Sequence, residues 1–220
     1  MNKIRNMIII AGALFGLFVN AVGDTISVAP TGGDYTTIQA AVTAAASGDT
    51  INVASGIYAE TITISTAKVI TLQGAGNATT IIRPTAGSNA ITISSITAQS
   101  LTLKDIQLDL SGAGRGIEAW DDMSSTTIAL ENTIINYSQY GRGISFWCDA
   151  GAGNNSITLL NSQINCVDAD GHSSSANKGI NYKSNHSSLT VNNSTVTAGH
   201  YAIRLVGDDV TANICASPHP

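Results

Sequence analysis

The chain of 220 residues is 43% apolar and only 11% charged, which is enough hydrophobic material for one packed domain and too little charge for a disordered one. Its formal charge of −5, from ten basic and fifteen acidic residues, argues against a nucleic-acid partner, because phosphate binding needs a basic surface. Ser, Thr, Asn and Gly dominate together with β-branched Ile and Val, a mixture that favours strands and turns over helices.

Lys3 and Arg5 precede an apolar run over residues 7–19, followed by the small residues Ala21 and Gly23. This order predicts a secretory signal peptide over residues 1–23 and a mature domain over residues 24–220. Thirteen apolar residues are too few to cross a bilayer comfortably, so no retained membrane span is expected. The mature chain would carry eight basic against fifteen acidic residues, a charge of −7. Its expected place is outside the cytoplasm, secreted or at the cell envelope.

Next in the chain, Asp34 or Thr36 is placed to cap a short helix whose Ile38, Ala41, Val42 and Ala45 share one apolar face. Gly48 and Asp49 then turn the chain into the alternating stretch TINVAS, and Gly56, Tyr58 and Glu60 lead into a second one, TITI.

From residue 100 the chain repeats itself. SLTLKDIQL from Ser100, TIALENTII from Thr127, SITLLNSQI from Ser156 and SLTVNNSTV from Ser188 superpose without gaps. Three apolar columns result: Leu101, Ile128, Ile157 and Leu189; Leu103, Leu130, Leu159 and Val191; and Leu108, Ile135, Ile164 and Val196. Alternation with period two puts each set on one face of a strand, and strands this short must stack to bury that face. The starts are 27, 29 and 32 residues apart, so loops vary while strands keep register. Coils of this length with polar corners predict a parallel β-solenoid. A leucine-rich repeat would need more leucine and a helical return segment. Between the strands, Asp105, Asn132, Asn161 and Asn193 form a polar column suited to left-handed corners and to a hydrogen-bonded ladder.

A second repeat carries the candidate chemistry. GRGIEAWDD, residues 114–122, and GRGISFWCD, residues 141–149, stand twenty-seven residues apart. With Ile117, Ile144, Ile180 and Ile203 pointing inward, Glu118, Ser145, Asn181 and Arg204 point outward, as do Trp120 and Trp147. Coils stack at about 4.8 Å, so Arg115, Arg142 and Lys178 form a row beside the two tryptophans, and Asp121, Asp122 and Asp149 follow. Either the arginines pair with these acids and loops cover the rings, or the face takes a ligand. In the second case Trp120, Trp147, Arg115, Arg142, Lys178, Glu118, Asp121, Asp122 and Asp149 are its ligand-binding residues. Exposed indoles suit the apolar face of a pyranose, and the basic row suits uronates.

Of the three cysteines, Cys148 and Cys166 are the favoured pair if a disulfide forms, and otherwise all three act as small apolar filler. Asp168, Asp170 and His172 belong to a Ser- and Gly-rich loop that reads as a solvated corner rather than a cation site. His186 reads as a surface turn residue, and the sequons at Asn77, Asn136 and Asn185 as turn composition. Val210, Ala212 and Ile214 begin a further coil near the end of the sequence, which predicts an open edge able to self-associate, with further coils or a cap lying beyond it.

The stretch GGDYTTIQAAVTAAASGDTINVASGIYAETITI, residues 32–64, followed by VITLQGAGNATTII, residues 69–82, resembles the N-terminal part of right-handed parallel β-helix proteins of the pectin-lyase-like superfamily. It is particularly similar to the opening of pectin methylesterases. The resemblance implies an all-β, right-handed parallel β-helix with the short helix covering its first coil, and a substrate groove along the strand face that holds the basic row. It does not carry catalysis with it. The Asp-Phe-x-Phe-Gly and Gly-Arg-Pro-Trp segments of the esterases are missing. Of the segments known from polygalacturonases, only Asp121 with Asp122, Asp208 with Asp209, and Gly199 with His200 have counterparts.

The expected function is therefore an exported β-helix that binds an acidic polysaccharide or presents a surface at the cell envelope, without catalysis and without a cofactor. A polysaccharide lyase is the first alternative, in which Ca²⁺ held by carboxylates would meet the uronate and a basic side chain would take the adjacent proton. A structural or adhesive solenoid with a protein partner is the second.

Overall fold

The computed structural model describes residues 23–94, 99–120, 123–148, 153–167 and 177–215. The expected signal peptide up to residue 22, Asp121, Asp122 and Asp149, and the loop with Asp168, Asp170 and His172 lie outside the described residues. Among the described residues no helix is long and apolar enough to cross a membrane.

The chain runs through β1 (Thr25–Val28), α1 (Ile38–Ala44), β2 (Thr50–Val53), β3 (Gly56–Tyr58), β4 (Ile62–Ile64), β5 (Val69–Gly74), β6 (Thr80–Ile82) and β7 (Ile91–Ser94). It continues through β8 (Ser100–Lys104), β9 (Gln107–Asp109), β10 (Arg115–Trp120), β11 (Thr127–Glu131), β12 (Ile134–Tyr137), β13 (Arg142–Trp147) and β14 (Ser156–Leu160). The last strands are β15 (Gln163–Cys166), β16 (Lys178–Lys183), β17 (Ser188–Asn192), β18 (Thr195–Val196), β19 (Tyr201–Val206) and β20 (Thr211–Cys215). They form three parallel sheets, in the orders β1-β2-β5-β8-β11-β14-β17-β20, β19-β16-β13-β10-β7-β4 and β18-β15-β12-β9-β6-β3. Each coil contributes one strand to each sheet, which makes the molecule a parallel β-helix.

The three apolar columns pair in the expected register. Their members are buried, apart from the half-buried Val196 near the last coil. One column extends further than the repeats reveal, running from Ile51 through Leu72 to Leu103 at one end and from Val191 to Ile214 at the other. The corner column also forms. Asp105, Asn132, Asn161 and Asn193 all have φ between 45° and 54°, a region that Asn and Asp tolerate better than other side chains. Asn132 Nδ2 donates to Asp105 Oδ1, Gln73 Nε2 donates to Asp105 Oδ2 at 2.6 Å, and Asn193 Nδ2 donates to Asn161 Oδ1 at 2.6 Å. The asparagines of this corner are exposed, so the backbone conformation matters more than buried side-chain bonds. A second left-handed column, Ser125, Asn154, His186 and Asp209, marks another corner, and it confirms His186 as a turn residue.

Helix α1 buries Ile38, Ala41 and Val42 against the first coil. Its cap is Thr37, whose side chain accepts from Ala40 N at 3.3 Å, and not Asp34 or Thr36. Asp34 is engaged elsewhere: its Oδ2 accepts from Ser27 Oγ at 2.7 Å and from Ser27 N at 3.1 Å. Glu60 supplies the rest of the cap, because its two oxygens accept from the Ile38 and Gln39 amides, each at 2.9 Å. The three cysteines are unbridged. Cys148 is buried as apolar filler and donates to Met123 O at 3.2 Å, whereas Cys166 lies on another sheet.

Candidate functional site

The six-stranded sheet that ends on β19 carries the GRGI repeats. Arg115, Arg142, Lys178 and Tyr201 are in register across β10, β13, β16 and β19. Glu118, Ser145, Asn181 and Arg204 form a second row, and Trp120, Trp147, Lys183 and Val206 a third. The glycine after each basic residue has a steric cause. A β-carbon at Gly116, Gly143 or Gly179 would come within 2.5, 2.2 and 2.4 Å of Ile135, Ile164 and Val196, all from the adjoining sheet. The first glycine of each repeat is constrained too: a β-carbon at Gly114 would lie 2.1 Å from Ser88 O, and one at Gly141 would lie 2.3 Å from Gly114 O. Close packing therefore explains the glycines of the repeat, and it leaves the charged and aromatic positions to be explained by what lies outside.

Of the eight basic residues after Arg5, five sit on these four strands: Arg115, Arg142, Lys178, Lys183 and Arg204. Among the described residues the only acid on them is Glu118. The Arg115 Nη1 to Glu118 Oε1 distance is 2.8 Å, and Asn89 ties this pair down by donating to Glu118 and accepting from Arg115 N at 3.0 Å. One coil on, Arg142 Nη1 donates to Ser145 Oγ at 3.2 Å. Arg204 Nη1 donates to Asn181 Oδ1 at 3.1 Å. Lys183 Nζ lies 4.4 Å from the centre of the Trp147 ring, and Arg204 Cζ lies 6.0 Å from it.

Crowding of like charge leaves a mark on the titration of this face. Burial, then the neighbouring Arg115, pushes the Arg142 guanidinium below its ordinary range, with Glu118 opposing and Arg204 adding to the shift. Burial lowers Lys178 as well, and Arg142 and Arg204 reinforce the effect. Removing a cation from water disfavours its charged form, and a second cation nearby disfavours it further.

The expected rows of bases and tryptophans are brought together, and Glu118 stands among them. The exposure differs from the expectation. Ser145 and Asn181 are outward-facing in register yet buried, at 4% and 1% relative exposure, and Lys178 is buried too. Long neighbours fold down onto the row, as the Arg142 and Arg204 bonds show. Trp120 is 52% exposed, whereas Trp147 is half-buried. Lys183 was missing from the sequence reading, although NKGINYK laid on GRGISFW places it at the tryptophan position. Tyr201, which continues the basic row, escapes because HYAIRLV keeps only the isoleucine. Among the described residues no group of three or more His, Cys, Asp or Glu side chains gathers in a way that suits a metal ion.

No protein-family model matches the chain, and no curated protein matches it. Among solved structures it is similar to a PL6-family alginate lyase, with a TM-score of 0.51 and 13% identity over 88% of this chain. The chain spans 29% of the length of that lyase. It is also similar to the pectin methylesterase of Aspergillus niger, at a TM-score of 0.39 and 15% identity, covering 88% of this chain and 85% of that one. A pectin methylesterase solved with a hexasaccharide gives 0.35 and 16%, over 76% and 66% of the two chains. The likeness to the lyase, together with the three stacked sheets, establishes the fold as a parallel β-helix.

Proposed function

We propose that this protein is exported and binds an acidic polysaccharide along the outer face of β10, β13, β16 and β19, without transforming it. The observation that carries the reading is the gathering of five of the chain's ten basic residues on four strands of a protein whose net charge is −5. Like charges stacked at strand spacing repel, and an anionic chain lying along the coil axis relieves that repulsion. The exposed Trp120 ring at the edge of the row offers a flat apolar surface to a sugar. Asp121, Asp122 and Asp149, which lie outside the described residues, belong to the same proposed ligand-binding set.

Titration with polygalacturonate or alginate tests the proposal directly. Tryptophan fluorescence is expected to shift, added salt to weaken the response, and Trp120→Ala combined with Arg142→Ala to abolish it. Unchanged binding of every acidic glycan by the double variant would reduce the GRGI segments to a packing device.

Lys178 favours a second reading. It continues the basic row beside Arg142, and an amine there, with its pKa lowered by burial and by neighbouring cations, is placed to take a proton from a carbon next to a uronate carboxyl, as a lyase requires. Absorbance from unsaturated products, measured with and without Ca²⁺, separates this reading from simple binding. Failure of all acidic glycans to bind would leave the solenoid as an adhesive surface for a protein partner.

A further inference from the structure

Resting on the reading of this face as an acidic-glycan site, we propose that its two tryptophans have different tasks. Trp120 is the platform for a sugar ring, whereas Trp147 is a positioning residue that holds Lys183 and Arg204 ready for the ligand's carboxylates. The two residues look equivalent by register, since they pair across β10 and β13. Their surroundings are not equivalent. Trp120 ends β10 with half of its surface open, and its preceding in-register neighbour is the small Ser94. Trp147 has Lys183 as its neighbour on the following strand, with the ammonium 4.4 Å from the ring centre, and Arg204 approaches from one coil further on. Both cation–ring contacts found among the described residues fall on Trp147.

A ring already covered by an ammonium is a poor sugar platform, because its electron-rich face is in use. The same contact does something else well. Lysine and arginine side chains carry much rotamer freedom, and a cation left to itself pays that entropy when it meets an anion. Lys183 held on indole, and Arg204 held by both the ring and Asn181 Oδ1, have paid much of it beforehand. Binding then loses less freedom, which is the usual gain from preorganisation.

The arrangement gives the ligand a direction. From β10 to β19 is three strand spacings, about 14 Å along the axis. A ring seated on Trp120 therefore puts the following acidic units over β16 and β19, where Lys183 and Arg204 lie. The ligand class is an acidic oligosaccharide several units long, bound with its chain parallel to the solenoid axis.

The test compares salt dependence between variants, read by calorimetry with polygalacturonate so that loss of a fluorophore does not matter. Trp120→Ala is expected to lower affinity by a similar factor at low and high salt. Trp147→Leu is expected to lower low-salt affinity by about two- to fivefold and to flatten the decline of affinity with salt, while Trp147→Phe, which keeps an aromatic face, restores part of both. Lys183→Gln combined with Arg204→Gln must reproduce the flattened slope, which shows that these cations meet the ligand, and Trp147→Met compared with Trp147→Phe decides the matter if Trp147→Leu does not fold. A wild-type slope in Trp147→Leu, or in the Lys183 and Arg204 double variant, overturns the division of tasks and leaves the binding site standing. Failure of the wild type to bind any polyuronate at low salt removes the site itself, and with it this inference.

Discussion

At its N-terminal end the solenoid is closed by α1, which lays Ile38, Ala41 and Val42 over the first coil and leaves Val28 of the first strand only 1% exposed. At the other end, β18, β19 and β20 are the outermost strands of their sheets. There Ile214 belongs to the same column as Leu130, Leu159 and Val191, yet it is 60% exposed whereas the two leucines are fully buried. Identical register and similar side chains thus give opposite burial. In a stacked array a residue is stabilised by the layers above and below it, so position along the axis outweighs residue type.

The largest expected effect sharpens this contrast. Leu130→Ala removes side-chain volume between two neighbouring layers and should cost about 2 to 5 kcal/mol in denaturant unfolding. Ile214→Ala in the same column should stay within about 0.5 kcal/mol. Equal losses at the two positions would mean that the last layer is covered in solution.

Opening the closed end should come next in size. Glu60→Ala strips the acceptor from two amides at the start of α1 and should cost about 1 to 2 kcal/mol, with helix amides near Ile38 gaining hydrogen exchange first. An unchanged melting curve would show that Thr37 alone suffices to hold the helix down.

At an interior corner, Asn161→Ala is expected to cost about 1 kcal/mol, because alanine must enter the left-handed region. Asn161→Gly should cost much less, since glycine reaches that conformation freely. If both cost the same, the bond from Asn193 rather than the backbone conformation carries the corner.

Among the described residues no strand follows β20 in its sheet, and because unpaired strand edges template pairing, weak association of two copies through this edge is an expected outcome. Sedimentation velocity over a hundredfold concentration range should show it, and Ile214→Lys should suppress it without changing the melt. A strictly monomeric wild type would show that this edge does not pair.

The smallest effect concerns acid. Hydrogen bonds from Asn132 and then Gln73 hold the Asp105 carboxyl below its ordinary range, and Lys104 assists. With the folded pKa below the unfolded one, this contribution is complete above the unfolded value near 3.9 and is lost as pH falls through the folded value. Asp105→Asn should remove that small acid-dependent step, seen as parallel melting curves between pH 5 and about pH 3.

The core columns are legible in the sequence because a period of two leaves one face to bury. The Asn corner is legible because few other side chains accept a left-handed backbone. Arg115, Arg142 and the two tryptophans are legible because GRGI and the residues after it align without a gap. The helix cap was harder: Asp34, Thr36 and Thr37 are all competent, and the choice falls to Ser27, which takes up Asp34 from seven residues earlier. Nor can alternation reveal that Ser145 and Asn181 are covered, since their cover comes from flexible neighbours on the same face. The corner through Ser125, Asn154, His186 and Asp209 is obscured because four different residue types occupy it.

The glycines beneath the basic row have a consequence for how such a chain can change over generations. Gly116, Gly143 and Gly179 each face one β-branched residue, Ile135, Ile164 and Val196, which follows at an interval of 19, 21 or 17 positions. Neither member of a pair can be replaced freely. A β-carbon at Gly143 would also lie 2.6 Å from Gly179 O, as one at Gly116 would lie 2.5 Å from Gly143 O, so a smaller residue than Ile164 does not by itself make room for alanine. Each glycine is thus fixed from two sides, by a side chain of the adjoining sheet and by the backbone of the next coil, so a change there has to be matched in more than one place at once. Ala202 occupies the corresponding place in β19, and Ala90 and Thr61 occupy it just before β7 and β4, so the glycine is confined to the three coils that carry the basic row.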